Sequence, residues 1–100
     1  MQKIEELIST AETRVAEFSL AANQAGEWHY HSAVVEYCYC LDGVIAVEQQ
    51  GKQSLALKPG EKVEIVVGNV HRVCNVEAQP CRYLIIQGVG TYDFLQVEEP

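Results

Sequence analysis

Basic residues are scarce in this chain: seven Lys and Arg stand against fourteen Asp and Glu, for a formal net charge of −7. No window gathers them, and without a basic stripe nothing holds the phosphates of a nucleic acid. The same shortage removes the attraction to an anionic membrane surface. Long apolar runs are missing too. No stretch approaches the roughly 18 residues of a membrane span, and the first ten residues hold no charged leader followed by an apolar segment, so neither a membrane anchor nor a signal peptide is expected. Only three Pro and seven Gly occur, and 48% of the residues are hydrophobic, too many for intrinsic disorder. The expectation is a cytoplasmic protein, and 100 residues leave room for one domain, 1–100.

Cysteine is present without a recognisable pattern. Cys38, Cys40, Cys74 and Cys81 lack the C-x-x-C pairs of structural zinc sites, and a chain without a secretion signal keeps its thiols reduced. Four free thiols are expected.

In Gln2–Ser9, Ile4, Leu7 and Ile8 fall at i, i+3 and i+4, which predicts a short amphipathic helix over about 2–9. From Thr13 the texture changes to short runs rich in Val, Ile, Tyr and Phe. Strands are predicted near 13–21, 28–31, 34–41, 44–49, 53–57, 62–67, 71–76, 82–87 and 92–97, so the spacing reads as an all-β sandwich or barrel over about 13–97. Gln50–Gly51 marks a tight hairpin, and Pro59–Gly60 fits the centre of a type II turn, where Pro presets φ and Gly supplies a positive one.

All three histidines lie in two places, His29-Tyr30-His31 and His71. Alternate residues of a strand share a face, so His29 and His31 present two imidazoles side by side. Glu36 follows on the next predicted strand, and His71 lies on a later strand of the same barrel. Three imidazoles and a carboxylate suit a divalent Mn, Fe, Co, Ni, Cu or Zn ion and leave coordination positions open.

These residues resemble a family, the cupins, which are small jelly-roll β-barrels. Their first motif, G-x5-H-x-H-x3,4-E-x6-G, reads here Asn23, His29, His31, Glu36 and Gly43; their second, G-x5-P-x-G-x2-H-x3-N, reads Gly60, Val66, Gly68, His71 and Asn75. The departures are Asn23 for Gly and Val66 for Pro, positions that shape backbone rather than bind metal; Gly26 is a candidate to do some of the missing Gly's turn work. The resemblance implies one metal ion on His29, His31, Glu36 and His71, a small-molecule ligand or substrate, and a homodimer formed by abutting sheets. It also implies dioxygenase, decarboxylase, isomerase or lyase chemistry. The alternative is a non-catalytic module that binds or senses a small ligand through the metal.

Parity extends the reading to neighbours. With Glu36 pointing inward, Val34, Cys38 and Cys40 share its face while Tyr37, Tyr39 and Leu41 face out, where with Ile4, Leu7 and Ile8 they offer apolar surface to a second copy. Cys38, one inward step of about 7 Å from Glu36, is a candidate for the pocket floor; Cys40, Cys74 and Cys81 read as structural. Gln87, Ile85 and Tyr83 share one face of a late strand and Arg82, Leu84 and Ile86 the other. Apolarity does not choose between the faces, and Tyr83 and Gln87 are possible pocket contacts. Trp28 and Tyr30, on the side of their strand away from His29, read as outer surface or subunit contact.

Overall fold

Alternation of inward apolar and outward polar residues, clearest in the buried Ala16, Phe18 and Leu20 and in the buried Cys81, Tyr83, Ile85 and Gln87, builds two stacked antiparallel sheets. A computed structural model describes all residues, Met1–Pro100. Its strands are β1 (Gln2–Ser9), β2 (Thr13–Leu20), β3 (His29–Tyr30), β4 (Val35–Asp42), β5 (Ile45–Gln49), β6 (Leu55–Leu57), β7 (Lys62–Ile65), β8 (His71–Cys74), β9 (Cys81–Gly88) and β10 (Leu95–Gln96). One sheet has the order β1-β2-β9-β4-β7 and the other β10-β3-β8-β5-β6. This is the all-β jelly roll expected, and each of the nine predicted strands has its counterpart. No helix is long and apolar enough to cross a membrane.

The N-terminal helix is not there. Gln2–Ser9 is strand β1, hydrogen-bonded antiparallel to β2 with the register Lys3↔Phe18, Glu5↔Glu17, Glu6↔Ala16, Ile8↔Val15 and Ser9↔Arg14. That register skips Ile4 and Leu7, so each enters as a bulge with no direct partner. Two bulges stretch the same-face period from two residues to three. Lys3, Glu6 and Ser9 therefore share the face of Phe18, Ala16 and Arg14, and a strand mimics helical spacing. Eight residues of isolated helix are marginal in water, whereas the free edge of β2 satisfies backbone groups at once. Ile4, Leu7 and Ile8 do not form a buried stripe; they remain 48, 50 and 50% exposed.

Between the sheets lies a core that includes Ala16, Phe18, Leu20, Cys38, Cys40, Ile45, Val47, Leu57, Ile65, Val73, Cys81 and Ile85. Each fully buried aliphatic side chain contributes about 1.5–3 kcal/mol. All four cysteines are free and buried, as expected. The turns follow their chemistry: Glu61 N–H donates to the Lys58 carbonyl at 2.9 Å with Gly60 at φ +88°, the type II geometry predicted from Pro59–Gly60. Asn23 is the only non-glycine residue with positive φ, at +59°. Asn tolerates that region because its side chain bonds locally, so the replacement of the motif's Gly is accommodated in place. Asn75, 2% exposed, donates to the Ala21 and Gln79 carbonyls at 3.1 and 2.6 Å and accepts from Glu77 N–H at 3.0 Å. It clips the loops together and stands away from the site.

Candidate metal centre

Strand pairing assembles the site. In β3, His29 lies directly opposite His71 of β8, and His31 follows one residue beyond the strand. Glu36 comes from the other sheet, where β4 places it opposite Gln87 of β9. One ligand atom from each of His29, His31, Glu36 and His71 lies within 4.8 Å of all the others. His71 is 0% exposed and His31 and Glu36 are each 3% exposed. The four residues singled out in the sequence are thus brought together, from segments that meet only in the folded barrel.

The imidazoles are oriented from behind. Nδ1 of His29 meets the Glu27 carbonyl at 2.8 Å, Nδ1 of His31 meets the Asp93 carbonyl at 2.6 Å, and Nδ1 of His71 meets the Asn69 carbonyl at 2.8 Å. A carbonyl only accepts, so each Nδ1 carries the proton and each Nε2 is turned toward the centre, the arrangement that metal-binding histidines use. Nε2 of His71 is buried and makes no oriented hydrogen bond, although Glu36 Oε2 is 3.3 Å away. Neighbouring donors around an ion at about 2.1 Å are about 3 Å apart in an octahedral arrangement, close to the 2.9 and 3.3 Å that separate Glu36 from His31 and His71. The residues fit a divalent ion.

Charge supports the same conclusion. Burial holds His29 neutral, with its pKa lowered to about 4. Burial also opposes charge on His31, but hydrogen bonds to Glu36 and to the Asp93 carbonyl outweigh it and raise the pKa. Nε2 of His31 lies 2.9 Å from Glu36 Oε1 and 3.3 Å from Gln87 Nε2, and the raised pKa favours a proton on this ring in the metal-free site. Burial alone would raise the pKa of Glu36, yet the hydrogen bond from His31 and the close approach of the His71 ring hold it well below the usual carboxylate range. A buried carboxylate needs a positive partner, and proton and metal compete for that role.

Gln87, 3% exposed, donates from Nε2 to Glu36 Oε1 at 2.8 Å, and its own Oε1 accepts from Arg14 Nη1 at 3.0 Å. Arg14 Nε donates to Glu6 Oε2 at 3.0 Å, and its guanidinium lies 4.5 Å from the Tyr92 ring centroid. Phe94 stacks on His29 with centroids 4.1 Å apart, while the Asp93 carboxylate accepts from Ser32 N–H at 2.8 Å and from the Ser32 hydroxyl. This segment crosses the mouth because Gly90, at φ +150°, passes so close to the Ala33 carbonyl that a Cβ would overlap it. The sequence reading did not single out Arg14, Asp93 or Phe94 as part of the site. Arg14 had one signal available, a charge on the strand face shared with Ala16, Phe18 and Leu20; Asp93, 62 residues from its partner His31, had none.

A cavity of about 320 Å³ opens beside His29, His31 and Glu36. The strand-face ambiguity resolves in favour of Tyr83, Ile85 and Gln87, all on its wall. Cys38 is not on the wall: it is 0% exposed and packed within the core cluster, and burial pushes its thiol pKa well up. One inward step from Glu36 leads into the packed interior, and Ile85, its cross-strand partner, takes the place on the wall. Trp28 lies under the Arg72 guanidinium, 4.7 Å from it, with Arg72 itself paired to Glu48 at 3.2 Å.

Comparison with known proteins agrees with the geometry. Residues 16–87 match the family described as cupin domain (Cupin_2). The chain is similar to a Klebsiella pneumoniae protein of unassigned function with a double-stranded β-helix domain, at 19% identity, TM-score 0.85, and coverage of 98% of this chain and 86% of that one. It is similar to TT1209 from Thermus thermophilus at 26% identity and TM-score 0.81 over 90% of this chain and 84% of that one. The polyketide cyclase RemF from Streptomyces resistomycificus follows at 22% identity and TM-score 0.77 over 95% and 70%. No protein of curated function matches the sequence significantly.

Proposed function

Since the chain belongs to the cupin domain family, we propose that it holds one divalent transition metal, Mn, Fe, Ni, Co, Cu or Zn, on His29, His31, Glu36 and His71 and acts on a small organic molecule in the adjoining cavity. The observation that carries this reading is the set of three Nδ1–carbonyl bonds that turn three Nε2 atoms toward one carboxylate. A divalent ion on three neutral imidazoles and one carboxylate keeps a formal charge of +1 and supplies Lewis acidity and open positions for an anionic oxygen donor, such as a carboxylate, enolate or catecholate. The rest is work for the chain. Gln87 holds one oxygen of Glu36, Arg14 holds Gln87 in the orientation that presents its amide N–H, and Phe94 with Tyr92 narrows the mouth against water. The reaction type is of the dioxygenase, decarboxylase, isomerase or lyase kind, and the four reduced, buried thiols suit a cytoplasmic setting.

Metal analysis of purified protein, followed by loading with each of the six ions, tests the proposal. About one ion per chain is expected, and chelation should lower Tm because only the folded barrel assembles the ligands. Protein that accepts none of the ions refutes it. Oxygen uptake and product formation with small enediols, catechols and keto acids then distinguish an enzyme from a non-catalytic binding module.

A further inference from the structure

Arginine is an unexpected residue for the inward face of a core strand, yet Arg14 shares the β2 face of Ala16, Phe18 and Leu20, its side chain is only 16% exposed, and it lines the cavity. Strand pairing sets Arg14 opposite Gln87 and Gln87 opposite Glu36, so the three form one row across β2, β9 and β4. A single amide separates the guanidinium from the carboxylate. Nη1 donates to Gln87 Oε1 at 3.0 Å and Gln87 Nε2 donates to Glu36 Oε1 at 2.8 Å, which keeps Arg14 Nη1 within about 8 Å of Glu36 Oε1.

Holding Gln87 does not exhaust this side chain. Nε donates to Glu6 Oε2 at 3.0 Å, and Nη2 has no partner in the chain. A guanidinium donates in a planar fork, and the acceptor that matches the fork is a carboxylate. Charge is in surplus here as well. Lys3 Nζ lies 3.8 Å from the same Glu6 oxygen, so two cations of the cavity wall share one carboxylate, on a chain whose formal net charge is −7. Glu27, also on the wall, is exposed and pairs with neither. The rings of Tyr92 and Phe18, 4.5 and 5.6 Å from the guanidinium, cover it, while Val73, Ile85 and Phe94 add apolar wall.

We propose that Arg14 determines the specificity of this cavity: its guanidinium binds a carboxylate of the ligand, whose other end takes the open positions of the metal. The ligand is then a small acid with a metal-chelating group at one end, a carboxylate at the other and a short hydrocarbon body between. This rests on the metal reading, which defines the chelating end. Arg14 selects among ligands that chelate equally well, because a methyl group in place of the far carboxylate leaves the free N–H groups and the surplus charge unmatched.

The test is calorimetric titration of Zn²⁺-loaded protein with 2-hydroxyadipate and 2-hydroxyhexanoate, six-carbon acids that chelate through the same hydroxyl and carboxylate and differ only in a terminal carboxylate against a methyl group. Wild type should bind 2-hydroxyadipate about tenfold or more tightly than 2-hydroxyhexanoate. Arg14→Gln, which keeps an amide donor beside Gln87, should bring the two affinities within about threefold of each other, through loss of the charge-assisted bond to the far carboxylate. Lys3→Gln should keep the wild-type preference, since that ammonium is half exposed. Equal losses for both acids in Arg14→Gln would mean that Arg14 acts only by holding Gln87, and would overturn the inference. So would a wild type without preference, loss of the preference in Lys3→Gln, or no binding of either acid by Zn²⁺-loaded wild type; each leaves the metal centre intact. Should Arg14→Gln fail to fold or to hold Zn²⁺, Arg14→Lys replaces it. A preference undiminished there overturns the inference, because an ammonium lacks the planar fork. Wild type that takes up no Zn²⁺ or other ion refutes the metal reading instead.

Discussion

The two ends of this barrel interior are built from the same strands, yet one is packed solid and the other borders a cavity, and different forces hold them. β4 supplies Glu36 at one end and Cys38 and Cys40 at the other; β9 supplies Gln87 at one end and Tyr83 and Cys81 at the other. The apolar end is held by the packing of side chains such as Leu20, Ile45 and Val47, all fully buried. The polar end is held by hydrogen bonds between residues far apart in the chain, and its carboxylate is stable only while a proton or a cation faces it. Packing energy and ligand affinity should therefore be separable in this molecule, although the two ends are a few strand residues apart.

The largest effect expected is on stability. Ile45→Ala, at a side chain 0% exposed, should cost about 2–5 kcal/mol in denaturant unfolding while the folded protein still takes up one metal ion. A folded Ile45→Ala protein that has lost its metal would break the separation of the two ends.

His71→Ala should act the other way round. Removing one of four donors should weaken metal binding by well over the roughly 10- to 100-fold typical of a change behind the ligands, with the strand pattern kept. Arg72→Ala, whose side chain lies on the opposite face beside Trp28 and Glu48, should leave the metal in place. Competitive metal titration of both variants checks the assignment. Tight binding by His71→Ala together with loss in Arg72→Ala would shift the register by one residue.

The smallest effect is on pH dependence. In the metal-free protein the pKa of His31 is raised above 6.5. The proton it shares with Glu36 therefore stabilises the metal-free fold fully below about pH 6.5, and that contribution fades as pH rises through the raised value. Metal affinity runs oppositely, because the ion must displace this proton. His29, with its pKa near 4, brings none above about pH 5. Loading at about pH 6 should release a proton from His31, and His31→Gln, brought to the same metal occupancy with excess ion, should release fewer protons. Calorimetry in buffers of different ionisation enthalpy counts the protons; a release unchanged in His31→Gln would place the proton elsewhere.

What the sequence alone determined follows from short-range geometry. His29 and His31 share a face because alternate strand residues do, Pro59–Gly60 turns because of the conformations those residues prefer, and the spacing of Glu36 and His71 matches two motifs whose strands this chain could be seen to contain. The same local logic failed over Gln2–Ser9. The three-residue spacing of Ile4 and Leu7 is equally that of a helix and of a strand with two bulges, and only the free edge of β2 selected the strand. The place of Cys38 stayed open for a related reason: parity says that it points inward, but whether inward means cavity or core depends on what packs opposite. Tertiary structure also decided which face of β9 enters the barrel. It brought the Asp93 carbonyl to His31, Phe94 onto His29, and Arg14 to Gln87 across 73 residues of chain. Such contacts leave no periodic trace in sequence, because each is one group meeting another that only the closed barrel brings within reach.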